Sequence, residues 1–185
     1  MSGVYVYHAK RPNFEGERLY PLNALKDKLP AIYDSAVKKY KGREWLLDVV
    51  IPGLDALWND VIHLSPIHPR LIYKTLTDVG FEHHKYNCTW IEIPIEDVMS
   101  LPSTLYFNTR LWQDTRVLLP SDFAEVTPAR VAELSGMPEI NLEYYRGCLA
   151  HNEMPLLWKR APHVLVKGTM DISKYATIDW KPSPA

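Results

Sequence analysis

Cysteine is nearly missing from this chain, with 2 residues in 185. Two thiols cannot build a disulfide scaffold, so a reducing, cytoplasmic compartment is expected. Glycine is sparse as well: 8 residues, scattered singly. There is no Gly-x4-Gly-Lys-Ser/Thr loop and no Gly-x-Gly-x-x-Gly turn, which argues against a kinase, a P-loop NTPase or a Rossmann dehydrogenase. A Gly-x-Ser-x-Gly nucleophile elbow is also missing. Neither sign of charge dominates, because 21 Lys and Arg face 22 Asp and Glu for a formal net charge of -1. Bulk electrostatic capture of a long nucleic acid is therefore not expected. No apolar run reaches the roughly 20 residues of a membrane helix. Residues 1–14 lack the basic-then-apolar pattern of an export signal, so no membrane partner is expected.

What the chain has in excess is aromatic residues and proline: 6 Trp, 11 Tyr and 15 Pro. That composition predicts a loop-rich fold with aromatic-lined surfaces. No repeat, low-complexity tract or Gly/Ser linker divides the sequence. One domain is expected over residues 3–180, with 181–185 as a loose tail.

Val4 to His8 is β-branched and aromatic and reads as a first strand. Residues 11–23 read as a long loop. A helix is expected after Pro30, with Ile32, Tyr33, Ala36, Val37 and Tyr40 forming one buried face and Gly42 beyond its end. Val61–Leu64, Thr89–Ile95, Leu105–Phe107, Arg116–Leu119, His163–Val166 and Ala176–Trp180 read as further strands. Helices are expected from Arg70 to Val79, after Thr127-Pro128 as far as Gly136, and over 139–152. This order lacks the regular alternation of a doubly wound sheet. An α+β fold with a mixed, mostly antiparallel sheet is expected.

Seven histidines carry much of the candidate chemistry. His84 with Cys88 and Cys148 with His151 are the donor types of a zinc site, but neither pair has finger spacing, so zinc is not expected. His63-Leu-Ser-Pro-Ile-His68-Pro lies at a strand-to-helix junction. Backbone amides there, with Ser65 and Arg70, suit an anion; the same residues also suit ordinary cap and turn chemistry. Glu153 follows His151 and Asn152 at a helix end and is the candidate catalytic carboxylate. Tyr7-His8-Ala9-Lys10-Arg11 with Phe14, and Tyr144-Tyr145-Arg146 with Trp158-Lys159-Arg160, interleave aromatic and basic residues. Such sets stack on a base and neutralise phosphate, and near-zero net charge favours a small nucleotide over a polymer.

The segment Val4-Tyr-Val-Tyr-His-Ala-Lys-Arg11 resembles the opening of ADP-ribosyltransferase-like domains, in one branch of which an early strand ends in a Tyr-His pair. Val61 to Ser65 is similar to the next nucleotide-side strand of that family, and His163 to Ile172 to its closing strand. The resemblance implies that NAD is the cofactor, that His8 contacts its ribose, and that Lys10 or Arg11 lies near the pyrophosphate. His63 and Ser65 would belong to the same nucleotide side. A catalytic Glu usually precedes the apolar run of the closing strand; His163 stands there instead. Glu153 would then replace it, or the protein would bind without transferring. The implied partners are a small nucleotide and a protein acceptor.

Two other readings stand beside this one. A non-catalytic interaction module or oligomer subunit would use the Tyr and Trp excess on a partner or a second copy. A metal-dependent hydrolase would use the histidine-rich segments.

Overall fold

A computed structural model of the chain describes residues 3–12, 14–82, 86–107 and 117–181. Its architecture is α+β, with mostly antiparallel pairing. One sheet joins β1 (Tyr5–Lys10), β6 (Thr89–Pro94) and β11 (Thr177–Ile178), with β6 in the middle. A second has the order β5 (Val61–Leu64), β9 (His163–Lys167), β7 (Ser103–Tyr106) and β8 (Phe123–Ala124). Two short ribbons complete the strands: β2 (Arg18–Leu19) with β10 (Met170–Asp171), and β3 (Val50–Ile51) with β4 (Ala56–Leu57).

The two larger sheets meet at one point. Tyr7 and Ser65 exchange both backbone hydrogen bonds, each 2.8 Å, in an isolated antiparallel bridge. The ladder stops there, so β1 and β5 are tied at Tyr7 and unpaired beyond it.

The second sheet is buried on both faces, which is why its strands read as continuous apolar runs. Ile62, Leu64, Val164 and Val166 point into a core shared with Val6, Ile91 and Ile93 of the first sheet. Val61 and Leu165 point the other way, against Trp58, Tyr106 and Tyr40. Period-2 alternation places His63 and His163 on that second face, beside Val61 and Leu165. Each fully buried aliphatic side chain contributes on the order of 2 kcal/mol.

The helices are α1 (Leu22–Lys28), α2 (Pro30–Val37), α3 (Pro69–Val79), α4 (Ile95–Met99), α5 (Pro128–Glu133) and α6 (Glu139–Ala150). α3 opens on His68, whose Nδ1 accepts from the Arg70 amide, and closes on Gly80 at φ +104°. It packs against α6, and a third core of Tyr7, Ile72, Leu76, Trp90, Tyr145 and Trp180 fills that side.

Several sequence expectations need correction. The loop over 11–23 contains β2 and the start of α1, because Leu19 and Leu22 are buried. The apolar face of α2 is only half-covered, and Tyr40 alone of the five residues is fully buried. Residues 45–51, which the sequence leaves ambiguous between helix and strand, run through a 3-10 turn (Glu44–Asp48) into β3. Pro94 ends β6, the middle strand of its sheet, and α4 follows unannounced. Residues 117–119 are not strand, and Arg116 lies outside the described residues, as do 182–185 of the expected tail. α5 ends at Glu133, before Gly136.

No helix among the described residues is long and apolar enough to cross a membrane.

Candidate functional site

His63 and His163 sit on neighbouring strands of one sheet face. In the β5–β9 register His63 opposes Leu165, so His163 is its diagonal neighbour, and the ring centroids are 5.5 Å apart. Trp58 contacts both rings edge-on, at 4.8 Å from His63 and 6.0 Å from His163. His63 Nε2–H donates to the Trp58 carbonyl at 2.8 Å, which fixes the tautomer and leaves Nδ1 as the ring nitrogen without a proton. Tyr106 stacks on His163 from β7.

His8 arrives from β1, one residue past the bridge that joins the sheets. Trp158 links it to the pair, with its indole 6.1 Å from the His8 ring and 6.3 Å from that of His163. Three histidines from three strands thus share one aromatic surround.

The charge around them has one sign. Lys39, on the 3-10 turn after α2 (Lys38–Tyr40), acts on all three rings, and Arg11 acts on His8. Arg43 holds the Lys39 turn by donating to the Lys39 carbonyl at 2.6 Å. Burial lowers His8 and His163 to about 4, with Lys39 as the largest electrostatic contribution. Burial, then His163, then Lys39 take His63 well below the ordinary histidine value. Lys39 is an exposed residue whose Nζ lies over the Tyr40 ring at 5.0 Å; desolvation, then Arg11 and Arg43, lower it to about 8. Among the described residues, no carboxylate is among the charged groups that act on these four side chains.

Four polar atoms here are buried without a hydrogen-bond partner: Nδ1 of His8, Nδ1 of His163, Nε1 of Trp158 and Nε of Arg160. Native proteins seldom leave such groups unmatched, and clusters of them mark functional sites or bound solvent. Arg160 also holds a left-handed backbone at φ +64°, a conformation that costs a non-glycine residue about 1 kcal/mol.

The segment that carries Trp158 is fixed from α6. Tyr145 donates to the Leu157 carbonyl at 2.6 Å, Asn141 to the Lys159 carbonyl at 2.7 Å, and Tyr86 to the Pro155 carbonyl at 2.7 Å. The Tyr144 hydroxyl accepts from the Leu156 amide at 2.9 Å. Four side chains therefore hold four backbone groups between residues 155 and 159. Tyr144 also lies beneath Lys159 at 4.6 Å. Tyr144 and Tyr145 of the second aromatic and basic set are spent on holding this segment, while Trp158 and Arg160 of the same set keep unpartnered N–H groups.

The other sequence candidates divide. Ser65 is fully buried, and its hydroxyl closes a turn on the Ile67 amide and carbonyl at 3.1 and 3.2 Å. It builds the bridge to β1 rather than facing the histidines. Lys10 lies over Phe14 at 5.5 Å. Arg11 is exposed and acts on His8 and Lys39. Glu153 is exposed on the turn after α6, where it acts on Lys159 rather than on the histidines. Sequence reasoning missed Lys39 and Arg43, whose positions depend on how the α2 turn folds back.

Cys148 is buried, Cys88 is half-buried, and both are free. His84, the fourth member of the zinc set with His151, lies outside the described residues. Among the described residues no group of three or more His, Cys, Asp or Glu is arranged to hold a metal ion. A cavity of about 340 Å³ opens elsewhere, lined by Trp45, Asp48, Val49, Val50, Val117 and Leu118. It is mostly apolar and contains none of the chemistry above.

Comparison with protein-family models, with curated proteins and with solved structures finds no match to this chain.

Proposed function

We propose that this protein is an ADP-ribosyltransferase-like nucleotide-binding protein, and that it binds NAD or a related dinucleotide at the His8–His63–His163 cluster without efficient transfer. The observation that carries this reading is the convergence of three histidines from β1, β5 and β9 within the electrostatic reach of Lys39. Those are the three strands on which the family resemblance rests, and they lie far apart in sequence. Arg11, Lys39 and Arg43 supply the positive charge that a pyrophosphate needs, and Trp158 and Trp58 supply aromatic edges for a base or nicotinamide ring. The unpartnered Trp158 Nε1–H and Arg160 Nε–H are obligate donors and suit the acceptor-rich edge of such a ligand.

NAD would bring a glycosidic bond with nicotinamide as the leaving group. Its cleavage calls for an anion facing the ribose as positive charge develops there. By the resemblance His163 would stand at the position of that anion, and burial keeps its ring neutral. Glu153, the one candidate substitute, stands on the exposed turn after α6, and this is why binding rather than turnover is proposed.

Thermal-shift titration with NAD tests the reading on wild type and His8→Ala. A ligand specific for the folded state raises Tm by mass action, by roughly 5 to 10 °C at a hundredfold excess over Kd for a chain of this size. A rise that is lost in His8→Ala is expected. No rise at millimolar NAD overturns the reading.

The interaction-module alternative draws on Leu149, Met154 and Leu156, large apolar side chains that stay exposed at and after the end of α6. Self-association in the absence of any nucleotide response would favour it.

A further inference from the structure

We propose that His8, His63 and His163 form the floor of a phosphoanion subsite closed by Lys39, and that a pyrophosphate group enters it together with protons. This deepens the nucleotide reading by stating which part of the ligand lies on the histidines.

The argument starts from hydrogen-bond chemistry. The His63 Nε2–H is committed to the Trp58 carbonyl, so its Nδ1 is an acceptor while the ring is neutral. An anionic oxygen is also an acceptor. The two repel until Nδ1 takes a proton, after which the same atom becomes a charge-assisted donor. The Nδ1 atoms of His8 and His163 are buried and unpartnered, and in the protonated ring each is a donor.

The groups facing this floor would oppose protonation in the free protein and permit it in the complex. Lys39 acts on all three rings, Arg11 on His8, and Arg11 and Arg43 on Lys39; His8 and His163 act on His63. From β7 the titratable neighbour is Tyr106, and from the β4–β5 side the neutral Trp58. Every charge in that set is positive or becomes so on protonation. A dianion placed among them removes the repulsion that keeps the histidines neutral, so ligand and proton stabilise each other's binding. A carboxamide or an adenine has no such effect, which is why the phosphates and not the rings of a dinucleotide are assigned here.

Isothermal titration calorimetry tests this with inorganic pyrophosphate, ADP-ribose and NAD as separate probes. Each is run at about pH 6.5 and pH 8 in buffers of different ionisation enthalpy. Pyrophosphate is expected to bind about tenfold more tightly at the lower pH, with a heat that varies with the buffer and so reports proton uptake. Lys39→Ala, at a solvent-accessible position, is expected to weaken pyrophosphate at least tenfold. His163→Gln is expected to reduce the buffer dependence; should it fold poorly, Lys39→Ala and the wild-type buffer series decide alone. Pyrophosphate binding without proton uptake, or NAD binding with no pyrophosphate binding, overturns the subsite and leaves the nucleotide reading in place. Proton-linked binding of pyrophosphate with no response to NAD or ADP-ribose supports the subsite and overturns the dinucleotide. No response to any of the three overturns both.

Discussion

His63 and His163 lie edge to face, 5.5 Å apart, as diagonal neighbours on β5 and β9, and among the described residues no carboxylate acts on either. In a core otherwise built from Val, Leu, Trp and Tyr, such a pair is stable only while both rings stay neutral.

That neutrality sets the acid stability of the fold. His8 and His163 have a folded value of about 4 against 6.5 when unfolded. Between those values the unfolded chain binds more protons, so stability is fully present above about pH 6.5 and is lost as pH falls towards 4. For His163, which is buried, the loss is on the order of 3 kcal/mol. Tm measured from pH 7.5 down to pH 4.5 should fall steeply, and His163→Gln should flatten the profile. An equally steep profile in that variant would show that other groups, not this histidine, control acid unfolding.

The Tyr145 hydroxyl bonds to Leu157, one residue before the Trp158 wall. Tyr145→Phe leaves a buried carbonyl unmatched and should cost about 1 to 2 kcal/mol in urea denaturation. It should also weaken NAD severalfold by loosening Trp158. Tyr145→Phe with wild-type affinity would separate the α6 clamp from the site.

Arg11 is exposed and acts across solvent. Arg11→Ala should therefore leave Tm nearly unchanged while weakening NAD by a few-fold, and that deficit should shrink as salt is raised. A deficit independent of ionic strength would mean direct contact rather than a screened field.

Gly80 ends α3 at φ +104°, and a Cβ there would meet only Leu149 at an ordinary 3.5 Å. The penalty of Gly80→Ala is thus conformational rather than steric, about 1 kcal/mol. Equilibrium unfolding should register it with nucleotide binding unchanged, because α3 carries none of the site residues. An altered NAD affinity in Gly80→Ala would show that the site extends to the α3–α6 side.

Thr127→Ala removes the side chain that accepts from the Arg130 amide at the start of α5. A loss of about 1 kcal/mol is expected in the same measurement. A neutral result would show that solvent serves that amide equally well.

Local pattern was enough for much of this fold. The apolar runs of Val61–Leu64 and His163–Val166, the Pro69 start and Gly80 stop of α3, and the Thr127 cap all follow from composition, dihedral preference and hydrogen-bond need within a few residues. His8 was legible through the aromatic and basic run of residues 7–11 and the family resemblance, and His63 through its place at a strand-to-helix junction. Which residues accompany them was decided only in three dimensions. Ser65 looked like a ligand group and closes a turn instead, since its neighbour Ile67 is near enough to use both its donor and its acceptor. Tyr144 and Tyr145 looked like a stacking shelf and instead hold the Trp158 segment. Lys39 left no signal at all, because a lysine on a turn reads as solvent-facing until the chain folds it over three histidines from strands remote in sequence. Secondary structure is encoded in neighbours along the chain; this cluster exists only through strand register and the single Tyr7–Ser65 bridge.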